Sequence, residues 1–161
     1  MKWSNAIPLF EYIRSPSTSG IYVIGKKKDD KIPIIPNDAY DPYLGTWPDN
    51  FSGLYVGISE SNKTGIRGRL RSHYKGRGSK SVAGRLASGD ELYFIFSEGV
   101  EKIKYEAPLI LLKTNFIFQD NVRCEMHRSM RRVAKAIRGE MSQYERDRYD
   151  NLDMGEHGEG M

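Results

Sequence analysis

The sequence predicts an α+β fold, a small three-stranded sheet with helices packed around it. Three observations carry that reading. Short β-rich runs stand at 20–25, 53–59 and 91–97, apolar residues recur at helical spacing between and after them, and glycines and prolines punctuate the joins. A chain of 161 residues with 39% hydrophobic and 11% aromatic side chains suits one domain with its own core.

Residues 5–13 read as a short helix, with Pro8 in its first turn and Leu9, Phe10 and Ile13 on one inward face. SPSTSG (15–20) breaks it, and GIYVIG (20–25) is the first strand. A loop-rich insertion, 26–50, follows with four prolines, and KIPII (31–35) within it is compatible with an edge strand. GLYVGIS (53–59) is the second strand. From Thr64 a helix is expected, with Ile66, Leu70 and Tyr74 at four-residue spacing. GRGSK (76–80) interrupts, SVAGRLAS (81–88) makes a turn or two of helix, and ELYFIFS (91–97) is the third strand. Residues 100–114 read helical, with Pro108 setting a start or kink near Glu106. Met126, Met130, Val133, Ile137, Met141 and Tyr144 step by three or four and predict a long C-terminal amphipathic helix. Arg128, Arg131, Arg132 and Arg138 lie off that stripe, where a solvated face and a DNA-contacting face fit equally well. Residues 1–150 show no internal boundary, and 151–161 read as a disordered tail.

The bulk properties narrow the classes. A single cysteine, Cys124, forbids an intrachain disulfide and fits a reducing compartment. The N-terminus lacks the apolar run of a signal peptide and no stretch approaches a membrane span, so a soluble cytoplasmic protein is expected. The net charge of +4 is small, so the placement of charge matters more than its sum.

Two features stand out. SGIYV (19–23) is written again as SGLYV (52–56). Strand alternation sets Ile21 and Val23, or Leu54 and Val56, on one face and Tyr22 or Tyr55 on the other, so both phenols emerge on one side of the sheet if the two strands are neighbours. Taken alone, each tyrosine is best read as packing, since strands favour aromatics. The second feature weighs against that. Lys63, Arg67, Arg69, Arg71, Lys75, Arg77, Lys80 and Arg85 fall between 63 and 85 with no acidic residue among them. One-signed charge with interspersed glycines suits a polyanion, because phosphates accept from guanidinium and backbone N–H groups. On a helical wheel Arg69 and His73 border one edge of the Ile66–Leu70–Tyr74 stripe, and Arg67 and Arg71 the other.

SGIYVIG, then GLYVG, then RLRSH (69–73), then EAPLILLKTN (106–115) resembles, in that order, the GIY-YIG nuclease superfamily, over residues 20–115. The resemblance implies an antiparallel sheet flanked by helices and a DNA endonuclease that uses one Mg²⁺ or Mn²⁺. Tyr22 and Tyr55 match the motif tyrosines, and Arg69 the arginine that stabilises the transferring phosphate. His73 matches a histidine of restriction-type members, Glu106 the metal ligand, and Asn115 an asparagine near the scissile phosphate. The chemistry suits these types: a hard cation and a guanidinium fork stabilise charge on phosphate oxygens. Tyr22 is the implied general base, assisted by His73 and Tyr55.

The chain departs from that pattern in its long 26–50 insertion and in Pro108 just past Glu106. It also carries Ile58 and Ser59 where repair-type members have a lysine, which leaves His73 as an alternative base. GSKS (78–81) lacks the frame of a phosphate-binding P-loop, and Cys124 with His127 lacks the second pair a zinc site needs. The expected function is a restriction-type or phage-type endonuclease, with room for a homodimer. A structure-specific repair or recombination nuclease and a non-catalytic nucleic-acid-binding module are the alternatives.

Overall fold

The computed structural model describes residues 2–27, 46–99 and, further on, 135, 138–140, 143, 146 and 147. In chain order these form β1 (Ile7–Pro8), a 3-10 segment (Leu9–Arg14), β2 (Gly20–Lys27), β3 (Phe51–Ser59), α1 (Gly65–Tyr74), α2 (Lys80–Ala87) and β4 (Tyr93–Glu98). The strands make one antiparallel sheet in the order β1-β4-β2-β3, so the α+β class holds with a four-stranded sheet in place of three strands. The additional strand is only Ile7–Pro8, too short to leave a periodic signal, and it lies where a first helical turn was expected. The 3-10 geometry that follows has three residues per turn. It points Leu9 into the core and Tyr12 against it, and leaves Phe10 and Ile13 64% and 69% exposed, contrary to the expected inward face.

Strand β2 is central, and its pairing with β3 accounts for the doubled phrase. Val23 pairs with Val56 at the centre, Tyr22 with Gly57, and Ile24 with Tyr55. The same words on two antiparallel strands, centred on the valine pair, thus set the tyrosines diagonally on one face. The register shifts between Ile24 and Gly25. Leu54 consequently joins the core cluster that holds Tyr22, Ile24, Tyr55, Ile66, Leu70 and Phe94, rather than the face of Val56 where strict alternation puts it. Gly25 permits this close pairing, since a Cβ there would lie 1.9 Å from the Ser52 carbonyl oxygen.

Helix α1 packs over that face. No side chain caps it, and its first-turn N–H groups are satisfied by a neighbouring segment instead. Ile66 N–H donates to Thr18 O and Arg67 N–H to Pro16 O, each at 3.0 Å. Gly65 makes this docking possible: its φ is +63°, and a Cβ would lie 2.2 Å from the Ser17 carbonyl carbon. The ends of the expected insertion are also built in. Strand β2 runs on to Lys27, and Trp47 is buried edge-on to Trp3 at 5.4 Å between ring centres.

Residues 28–45, with the KIPII segment, lie outside the described residues, as do 100–134 and 148–161. These hold the expected 100–114 helix, Glu106, Asn115, Cys124, His127 and the tail. Within the expected C-terminal helix, 138–140 form a 3-10 turn and Arg146 Nε donates to Arg138 O at 3.1 Å. Most of the residues of that expected helix lie outside the described residues. No helix among the described residues is long and apolar enough to cross a membrane.

Candidate active site

The tyrosine face gathers four of the expected site residues. Tyr22 and Tyr55 ring centres are 6.4 Å apart, and the His73 ring stands edge-on to both, at 5.6 Å and 4.9 Å. Tyr22 Oη lies 2.9 Å from His73 Nε2 in a buried hydrogen bond. At the opposite ring nitrogen, Ser79 N–H donates to Nδ1 at 3.3 Å. Arg69 is an exposed residue whose guanidinium acts on both phenols.

Two glycines make this packing possible. A Cβ on Gly57, opposite Tyr22, would sit 2.3 Å from the Tyr22 hydroxyl oxygen, so this position must be bare for the ring to lie across β3. A Cβ on Gly78 would sit 2.2 Å from His73 Nδ1. The Gly78–Ser79 pair therefore cradles the imidazole, and Ser79 goes on to cap α2, its Oγ accepting from Val82 N–H. These three residues were not singled out in the sequence. Their signals were the glycine that closes GLYVG and the serine N-cap before SVAGRL.

His73 is itself a correction. It is 2% exposed, and the buried stripe of α1 runs Ile66, Leu70, His73, whereas Tyr74 stays 38% exposed against Tyr12. Hydropathy favours the tyrosine for that place, but the imidazole finds a hydrogen-bond partner at each ring nitrogen and so can be buried.

Burial is the largest influence on the Tyr22 phenol and raises it well above its ordinary value, with Tyr55 adding to the effect. Arg69 pulls the other way, by charge and by hydrogen bonding, but does not prevail. The resting phenol is therefore neutral. The same pairing holds the Arg69 guanidinium above its ordinary value, chiefly through Tyr22 and against a smaller effect of burial.

The basic cluster divides. Lys63, Arg71, Lys75, Arg77 and Lys80 are exposed. Arg67 instead donates from Nε to Ser15 O at 2.8 Å, tying α1 to the segment before β2. Arg85 stands 3.7 Å from Asp90, whose same oxygen also meets Lys26 at 3.3 Å. Both arginines thus have partners within the fold. Glu106, the implied metal ligand, and Asn115 lie outside the described residues. Among the described residues, no group of three or more His, Cys, Asp or Glu side chains gathers. Comparison with family models, curated proteins and solved structures gives no match.

Proposed function

We propose that the protein is a DNA phosphodiester hydrolase of the restriction or phage type, with Arg69 facing the reacting phosphate and Tyr22 beneath it. The observation that carries this reading is the convergence of Tyr22, Tyr55, His73 and Arg69 on one face of the sheet, beside a helix whose exposed charge is all positive. It fits the order of motifs that resembles the GIY-YIG nucleases.

In this reading the exposed cations, Lys63, Arg71, Lys75, Arg77 and Lys80, track the phosphate backbone. The Arg69 fork stabilises charge on the non-bridging oxygens as water attacks phosphorus. Tyr22 takes the water proton only as the phenolate, its own proton having first passed to bulk water, and the positive charge of Arg69 favours that ionisation. A divalent ion on Glu106 would supply charge stabilisation at the phosphate when bound. The binding-module alternative has an observation of its own, the complete burial of the Tyr22 side chain.

The deciding experiment incubates plasmid, branched and single-stranded DNA with the protein, with and without Mg²⁺, and repeats it with Arg69→Ala. Expected is Mg²⁺-dependent cleavage. The variant should bind DNA with little loss yet cleave about a hundredfold or more slowly in single turnover, as for one lost charge-stabilising donor. Binding without cleavage of any substrate would leave the binding module standing.

A further inference from the structure

We infer that the Ser79 backbone amide fixes His73 as a hydrogen-bond donor to Tyr22, so that His73 steadies the Tyr22 oxygen and does not receive its proton. A backbone N–H can only donate, and the Ser79 N–H is aimed at Nδ1 at 3.3 Å. Nδ1 must therefore present its lone pair. A neutral imidazole carries one hydrogen, which then sits on Nε2 and points at Tyr22 Oη, 2.9 Å away. Doubly protonating the ring would turn an N–H on Nδ1 against the Ser79 N–H. Among the described residues, the titratable side chains that face the ring are Tyr22 from β2 and Tyr55 from β3.

The cradle leaves the ring little choice. Gly78 is bare where any side chain would meet Nδ1, and Ser79 is held as the N-cap of α2. Tyr22 Oη then has a donor on His73 and a cation in Arg69, while its own hydrogen is turned away from His73. Both groups favour the ionised form of that oxygen, against the burial that keeps the resting phenol neutral. Ser79 and Gly78 are positioning residues, since they act only through the imidazole.

The tautomer stands on geometry alone; its consequence for cleavage rests on the nuclease reading, so the two are tested separately. Histidine-labelled protein is examined by ¹⁵N NMR at neutral pH. Expected for His73 is a neutral ring with the hydrogen on Nε2, and a hydrogen on Nδ1 would overturn the inference whatever the protein cleaves. Hydrogen exchange supplies a second readout. The Ser79 amide should lose protection in His73→Ala and keep it in His73→Asn, whose side-chain oxygen can take the Nδ1 place.

Cleavage then tests the role. His73→Gln can set an amide N–H near the Nε2 position but cannot hold a proton taken from a phenol. A donor role predicts that Gln stays within about tenfold of the wild type while Ala falls on the order of a hundredfold or more. Equal loss in Gln and Ala would restore His73 as a proton acceptor and overturn the inference. A protein that shows the Nε2 tautomer but cleaves nothing would retire the nuclease reading and leave the donor geometry intact.

Discussion

At Tyr22 two opposing effects can be ranked. The Arg69 charge favours a phenolate, and burial favours the phenol; burial is the stronger. The sign of the pH dependence follows. An unfolded tyrosine ionises near pH 10, whereas the folded one keeps its proton to higher pH. Between those points the native state binds more protons, so this contribution is intact below about pH 10 and declines as pH rises beyond it. Urea unfolding of the wild type from pH 8 to 11 should show that decline, with a limiting slope of about 1.4 kcal/mol per pH unit from this group. Tyr22→Phe should flatten the alkaline limb. At neutral pH the variant should already be less stable by about 1–3 kcal/mol, because the buried His73 Nε2 loses its partner.

For the strands, the decisive residues are those that leave room. Gly57 pairs with Tyr22, and a methyl there would overlap the phenol oxygen at 2.3 Å. Tyr22 is fully buried and has nowhere to retreat without disturbing His73. Gly57→Ala should therefore cost about 1–3 kcal/mol and lower cleavage along with stability. Gly84, in the middle of α2, is the control. It has open space around its Cβ position, so Gly84→Ala should stabilise the protein by about 0.5–1 kcal/mol through helix propensity. Equal thermal shifts of the same sign in the two variants would contradict the packing described for β2 and β3.

Over the whole molecule the net charge of +4 says little, and the division of the basic run between fold and surface says more. Lys75 is exposed, near the ring of Tyr74 at 5.7 Å, while Arg67 is pinned to Ser15 O. If DNA lies along the exposed cations, Lys75→Ala should weaken binding at all sequences and reduce the slope of log affinity against log salt by about 1. Arg67→Ala should leave that slope unchanged and lower the unfolding free energy by about 1–2 kcal/mol, through loss of one partly buried hydrogen bond. Salt titration of binding and urea unfolding of both variants separate the two roles. The reverse pattern would return Arg67 to the DNA-facing set.

The sequence by itself determined the α+β class, the three longer strands, α1, and a doubled phrase that sets both tyrosines on one face once its two strands pair. Those features follow from short-range periodicity and from a phrase written twice, which need no knowledge of distant segments. Only the tertiary structure decided the rest. It buried His73 in place of Tyr74, engaged Arg67 and Arg85 within the fold, moved Leu54 across the sheet, added Ile7–Pro8 as a strand, and kept the Tyr22 phenol protonated. The physical reason is that burial and hydrogen-bond partners come from far along the chain. Tyr22 and His73 are 51 residues apart, and Arg67 and Ser15 are 52 apart. A side chain's local pattern states what it prefers; the partner that folding brings to it decides whether that preference or a hydrogen bond prevails.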